Sequence, residues 1–341
     1  METSEKYIKR CFELAQNGMG QVAPNPLVGA VIVYNDKIIG EGYHRKYGEP
    51  HAEVNAIDSV LDKSLLKDAT LYVNLEPCCH EGKTPACTDL ILKSNIPRVC
   101  IAALDPNPIV AGNGLRILEE SGLSVEVGIL ENDALGLNRR FYTFYQKKRP
   151  YVILKWAQSK DGFIGKINKK IQISNVQSQY LSHVWRSEEA AIMVGTQTAK
   201  VDNPQLDVRL IMGNNPIRIV LDRTLKLHYN LNLFDQTTPT IVFTEKSKKS
   251  IKNIEYINID FSKDVILEMI NILYEKNIQS IIVEGGTLLL NSFIRSNLWD
   301  EARVFIAENN LGSGIIAPKI KNVLFAEEQI GDDKLTVYKN E

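Results

Sequence analysis

No stretch of the 341-residue sequence is apolar over the length that a membrane-spanning helix requires. The formal charge is only −1 at pH 7, so the chain lacks the global basic field that nucleic acid or an anionic membrane calls for. The opening residues, METSEKYIKRCFELAQ, lack an apolar h-region and read as an amphipathic helix. A secretory signal is therefore not expected, and the protein is expected in the cytoplasm. Cysteine is scarce: there are five, an odd number that argues against a disulfide framework in a chain with no secretory signal. Residues 151–341 also lack a G-x-G-x-x-G fingerprint after a strand, which argues against the dinucleotide fold built on that turn.

The composition that remains, 44% apolar and 24% charged, is that of an ordinary globular protein. The length suggests two or three domains, each able to bury a core. LVGAVIVYNDKIIGEGYH reads as a hairpin about a YNDK turn. HAEVNAIDSVLDK follows as a helix with an apolar face at Val54, Ile57, Val60 and Leu61. TLYVNLEP reads as a buried strand closed by Pro77, and Thr84 and Pro85 as the N-cap and first residue of the next helix. A further strand, helix and strand give a β-β-α-β-α-β-α-β order, a layered sheet with helices on its faces. The basic and aromatic FYTFYQKKRP ends at Pro150, and a linker is placed near 145–150. Beyond it a second α/β alternation runs to about residue 307.

Three of the cysteines, Cys78, Cys79 and Cys87, lie within ten residues, and in a reducing compartment such a cluster more often marks a metal or reactive site. His51 opens one helix, Cys78 follows a strand and Cys87 falls in the first turn of another helix, where the thiolate is favoured. These three donors from adjacent elements suit a catalytic zinc, which keeps a fourth place open. Glu53, two residues after His51, would stand beside the metal without ligating it, free to move protons. Cys11 and Cys100 read as core, Cys79 as a packing or spare thiol, and His80 as substrate-binding or merely exposed.

The zinc deaminase signature pairs H-x-E with P-C-x-x-C. This chain has HAE and EPCCHEGKTPAC, with eight residues between Cys78 and Cys87 instead of two. Together with NPLVGAVIV, HAEVNAI and DPNP, residues 5–145 resemble the pyrimidine deaminase half of the bifunctional riboflavin-biosynthesis deaminase–reductases. That resemblance implies a cytidine-deaminase-like α/β/α sandwich, one zinc per chain and a zinc-hydroxide deamination. The substrate it implies is 2,5-diamino-6-ribosylamino-4(3H)-pyrimidinone 5′-phosphate. Substrate positions carried over are Asn25, His44, Lys83, Asp105 and Asn107. Asn25, Asp105 and Asn107 are equally turn formers.

In the second half, VEGGTLLLNSFI places two glycines between a strand and a helix N-terminus, an arrangement open to an anion such as a pyrophosphate. With KWAQSKDG and VGTQTAKVDNPQLDVR it resembles the reductase half of the same family, which implies a dihydrofolate-reductase-like α/β domain that uses NADPH. The positions this implies are Ala157, Thr198, Asp202 and Gly286 for the cofactor. For the substrate they are Lys155, Ser174, Arg186, Leu206, Arg209 and Glu284. The chain departs from the family at Gln172, where tryptophan is usual, at Lys160 in SKDG and at Asn203 in DNP. Hydride is expected to pass to the ribose C1′ of the substrate, with Asp202 or Lys155 supplying a proton.

The expectation is a bifunctional enzyme with a deaminase domain over 1–146 and a reductase domain over 147–341. It would act on a small phosphorylated pyrimidine, without nucleic acid or membrane, as a homo-oligomer. The rival readings are a zinc deaminase acting on tRNA and a zinc-stabilised binding module with no activity.

Overall fold

The computed structural model describes residues 2–81, 85–321 and 324–340. They gather into two compact units, 1–147 and 148–341.

The first unit runs α1 (Glu2–Gln16), β1 (Gly29–Tyr34), β2 (Lys37–Tyr43), α2 (Ala52–Ser59), β3 (Thr70–Val73), α3 (Cys87–Lys93), β4 (Arg98–Ile101), α4 (Asn113–Glu120), β5 (Ser124–Val127), α5 (Glu131–Leu137) and α6 (Arg139–Lys147). Among the described residues its strands form one sheet in the order β2-β1-β3-β4-β5. β1 is antiparallel to both neighbours, and β3, β4 and β5 are parallel. Asn35 and Asp36, both at positive φ, make the tight turn that the sequence signals between β1 and β2. One face of the sheet packs on Ala52, Ala56, Ile57, Ile91 and Leu118, the other on Tyr7, Ile8, Cys11 and Phe141. Gly42 lets α2 lie directly on β2, because a Cβ there would sit 2.3 Å from the Ala56 nitrogen. That close approach fixes the start of α2, and with it His51 and Glu53.

The second unit runs β6 (Tyr151–Gln158), β7 (Phe163–Gly165), α7 (Val176–Glu188), β8 (Ala191–Val194), α8 (Thr196–Asp202), β9 (Ile217–Leu221), β10 (Thr240–Thr244), β11 (Ile254–Asn258), α9 (Val265–Glu275), β12 (Ser280–Val283), α10 (Thr287–Arg295), β13 (Glu301–Ile306), β14 (Ile315–Ile316), β15 (Leu324–Ile330) and β16 (Asp333–Lys339). Its main sheet has the order β11-β10-β9-β8-β12-β6-β13-β16-β15, parallel through β13 and closed by an antiparallel hairpin. Continuous apolar runs such as AIMV and SIIV are buried along their whole length, as strands covered on both faces must be. Along β6, Val152, Leu154 and Trp156 join one core and Tyr151 and Ile153 the other.

Four local expectations are corrected. The buried face of α2 is Ala52, Glu53, Ala56 and Ile57, and Leu61 is fully exposed: contact with the sheet, not apolar spacing, sets the phase. α3 begins at Cys87 with Ala86 as its N-cap, so Pro85 precedes the helix, and Thr84 lies outside the described residues. The aromatic stretch read toward a linker is the helix α6, which buries Phe141, Tyr142 and Phe144. The hairpin of β15 and β16 escaped the sequence because β15 is exposed along nearly its whole length and has no apolar alternation to read.

Candidate active sites

In the first unit three donors converge. His51 is the N-cap of α2, Cys78 lies in the loop after β3, and Cys87 is the first residue of α3. The His51 Nδ1 is 3.3 Å from Cys87 Sγ and 3.4 Å from Cys78 Sγ. All three ligand atoms lie within 4.8 Å of one another. A zinc tetrahedron with ordinary Zn–N and Zn–S bonds has edges of about 3.6–3.8 Å, so the set fits that ion with little movement. The Cys87 backbone N–H donates to Cys78 Sγ at 3.3 Å, anchoring that sulfur at the N-terminus of α3. The thiols share one site: the hydrogen bond with Cys87 lowers Cys78 and raises Cys87, and burial raises both. A separate hydrogen bond, between His51 and Cys78, raises His51 against the effect of burial.

Glu53, only 3% exposed, is on the buried face of α2 two residues from His51, with its carboxyl hydrogen-bonded to Cys87. Burial pushes its carboxyl up to about 7, with Cys78 adding to the effect. A carboxyl that titrates at about 7 is divided between its two forms near neutrality, so beside these three donors it can both take a proton and give it back.

Around it lie most of the other expected residues. His44 is buried, its ring edge-on to His51 with centroids 5.2 Å apart. Its Nδ1 faces the Pro50 carbonyl at 3.1 Å and its Nε2 faces Asn25 Nδ2 at 3.1 Å. The carbonyl can only accept, so Nδ1 carries the hydrogen and Nε2 accepts from Asn25. Burial lowers the pKa of His44, in keeping with this neutral form. Two buried amides hold the Asn25 segment. Asn74 accepts from Gly29 N at 2.7 Å and donates to Leu27 O at 2.9 Å, while Asn138 pairs with both backbone groups of Leu27. Asn74 and Asn138 were not singled out in the sequence; nothing in apolar periodicity reports a buried amide. Asp105 accepts from Asn107 N at 2.7 Å, and Asn107 accepts from Ile109 N at 3.2 Å, so both build the turn. Burial raises Asp105 to about 7. Lys83 lies outside the described residues. Cys11 and Cys100 are buried, Cys79 is partly buried with Sγ 3.8 Å from the Ile109 carbonyl, and His80 is exposed.

The second unit holds a cleft of about 750 Å³. Thr198, Asp202 and Gly286 line it, with Gly195 at the start of α8 and Thr287 at the start of α10. Gly286 N donates to Thr198 Oγ1 at 2.9 Å, tying the two helix starts together. Lys166, Lys169, Arg223, Lys263 and Arg295 also line the cleft. Helix N-termini and cations facing one cavity of this size suit a pyrophosphate-bearing cofactor. Ala157 is on β6 beside the second core and is not among the lining residues. The sequence reading passed over Arg223 and the lysines, which carry no local motif.

Behind the glycine pair sits a buried ion triad. Arg186 makes a fork to Glu284, Nε to Oε1 at 2.8 Å and an Nη nitrogen to Oε2 at 2.7 Å, and Lys155 Nζ is 3.7 Å from the same Oε2. Burial opposes the charge on Glu284, yet Arg186 and Lys155 hold the carboxyl down at about 2. Burial also lowers Lys155, with Arg186 acting in the same direction and Glu284 against it. Leu206 is buried in the second core and is not among the residues lining the cleft. Ser174 accepts from Gln172 Nε2 at 3.2 Å, so Gln172 is spent within its own loop. Arg209 pairs with Asp207, and its N–H donates to His183 Nδ1 at 3.3 Å. Lys160 is a surface residue paired with Glu308, and Asn203 takes the left-handed conformation that ends α8, one that Asn tolerates.

His183 gives a pH prediction. Burial first, then Arg186 from its own helix and Arg209 from the loop after α8, lower it to about 4, against Asp207 and Glu284. Because its folded value lies below the unfolded one, the unfolded state binds the extra proton as the pH falls. The second unit is expected to lose stability progressively between about pH 6.5 and pH 4, and His183→Gln to flatten that slope, as followed by urea unfolding at a series of pH values.

Comparison with known proteins places both units. Residues 1–103 match the cytidine and deoxycytidylate deaminase zinc-binding region, and residues 150–326 match the RibD C-terminal domain. The chain is 39% identical to the riboflavin biosynthesis protein RibD of Aquifex aeolicus, across 92% of this chain and 89% of that one. It is 35% identical to RibD of Escherichia coli, across 91% and 89%. The crystal structure of a diaminohydroxyphosphoribosylaminopyrimidine deaminase/5-amino-6-(5-phosphoribosylamino)uracil reductase from Thermotoga maritima superposes with a TM-score of 0.91 at 36% identity, covering 100% of this chain and 99% of that one.

Proposed function

Because this chain belongs to the RibD family and is a bifunctional deaminase–reductase of riboflavin biosynthesis that uses zinc and NADPH, we infer that unit 1–147 deaminates and unit 148–341 reduces. The Thermotoga relative's name supplies the reactants: a diaminohydroxy-phosphoribosylamino-pyrimidine, then the aminouracil that deamination makes from it.

His51, Cys78 and Cys87 would hold the zinc, the assignment that carries this reading. When bound, zinc lowers the pKa of a water to near 7. Glu53 accepts a proton of the attacking water and delivers it to the departing amino nitrogen. The ring carbon gains an oxygen, the C–N bond breaks, and ammonia leaves. Asn25 fixes the neutral His44 beside His51, and Asp105 and Asn107 build the turn that Glu76 ties to the Cys78 segment.

In the second unit Thr198 and Gly286 would seat the cofactor at the helix starts, with Asp202 lining the same cleft from the far end of α8. When bound, NADPH supplies the hydride. Arg186 and Glu284 hold each other rigid one residue from the Gly285–Gly286 turn. Lys155, whose ammonium is destabilised by burial, is the group best suited to give the proton that completes the reduction. Arg209, half exposed, is left to meet the substrate phosphate.

Incubating purified protein with the phosphorylated diaminopyrimidine tests this. Ammonia is expected without NADPH, and NADPH consumption only after ammonia release. NADPH consumption in the absence of ammonia release, or deamination of tRNA in its place, would overturn the reading.

A further inference from the structure

A carboxylate that takes no part in the steps above lies two residues before the Cys78 ligand. Glu76 is only 3% exposed, and three backbone N–H groups donate to its carboxylate. Its Oε2 accepts from Asp105 N at 3.1 Å and from Gly112 N at 3.0 Å, and its Oε1 accepts from Leu115 N at 3.1 Å. Its own N–H donates to the Ala103 carbonyl at 3.0 Å. Gly112 is the N-cap of α4 and has no side chain to satisfy the free N–H groups there. Glu76 serves as that cap from another element, with its charge at the favourable end of the helix dipole. The fit is built from both sides: a Cβ on Gly114 would stand 2.3 Å from the Pro77 carbonyl and 3.1 Å from Glu76 Oε1. Only glycine lets α4 come down on this segment.

We propose that Glu76 is a positioning residue for deamination, locking the 105–115 segment that carries Asp105 and Asn107 to the strand end that carries Cys78. The lock joins the segment that carries Cys78 to the turn that carries Asp105 and Asn107. Without it Asp105 loses the backbone hydrogen bond that ties it to the Cys78 segment, while the His51, Cys78 and Cys87 donors keep their own contacts.

The proposal rests on the site assignment above, and its test separates the two. In the full-length zinc-loaded enzyme, Glu76→Gln is expected to keep one zinc per chain and unchanged NADPH-dependent reduction. Its KM for the phosphorylated diaminopyrimidine is expected to rise about ten- to a hundredfold, more than kcat falls, as loss of hydrogen bonds to a charged group predicts. Gly114→Ala, which leaves the carboxylate intact but displaces it, is expected to raise KM in the same way, and stands in if Glu76→Gln does not fold. The amides of Asp105, Gly112 and Leu115 should exchange slowly in the wild type and faster in Glu76→Gln. A variant that loses stability yet keeps its KM, or wild-type amides that exchange freely at these positions, would overturn the proposal. A wild type that binds no zinc would instead sink the site assignment itself.

Discussion

Glu53→Gln is expected to lower kcat for deamination by about 10²- to 10⁴-fold, the contribution ordinary for a positioned acid–base group. The substitution keeps the volume of a side chain that is 3% exposed, so α2 should keep its seat on β2. His51, Cys78 and Cys87 keep their mutual contacts, so bound zinc should stay at one per chain. Reduction of supplied aminouracil substrate should proceed at the wild-type rate, since the second unit has its own cleft. Ammonia release, elemental analysis and NADPH absorbance read the three quantities separately. The pattern is specific: a zinc-stabilised binding module would have no deamination to lose, and a variant that lost zinc as well would make Glu53 part of the ligand set.

The second large effect is expected from Glu284→Gln. Arg186 and Lys155 are about as buried as Glu284, with side-chain exposures of 13%, 11% and 10%. Removing the one anion leaves two buried cations facing each other. Breaking a buried pair by deleting one partner costs about 3–5 kcal/mol. The loss should appear in the second unit alone. Trp156, Trp185 and Trp299, the only tryptophans in the sequence, all belong to that unit, so their fluorescence in urea reports its unfolding without interference from the first. Reduction should fall with it, because Lys155 and Arg186 lose the group that orients them, while ammonia release is unchanged. The double variant Glu284→Gln with Arg186→Gln should lose less than the two single losses summed, since both act on one network. A Glu284→Gln protein as stable as wild type would show that water already satisfies the two cations.

These expectations also mark what the sequence could and could not convey. The three proposed metal donors were readable from the order and spacing of HAE and EPCCHEGKTPAC taken together, since alone each is as ordinary as a capping histidine or a core thiol. Glu53 was readable from its place two residues on, but its burial was not. Apolar spacing put Val54 and Leu61 on the inner face of α2, whereas the glycine at position 42 brings Ala52, Glu53 and Ala56 inward. A charged residue on an inward face is a functional signal that spacing alone hides. The pairing of Asn25 with His44 and the support from Asn74 and Asn138 join residues 19 to 111 apart in the chain, beyond any local pattern. The inner parallel strands of the second unit announced themselves as apolar runs, whereas β11, a half-buried IEYIN at the sheet's edge, did not. The β15–β16 hairpin did not, because an exposed edge strand need not alternate. Its turn, Gly331 at φ +59°, is a signal that could have been read.

X-ray absorption at the zinc edge of the purified enzyme tests the central claim most directly. One zinc per chain is expected, with two sulfurs at about 2.3 Å and one imidazole nitrogen plus one further light atom at about 2.0–2.1 Å. His51→Ala should remove the imidazole signal. A protein that binds no zinc, or a shell of four sulfurs or of light atoms only, would contradict the account.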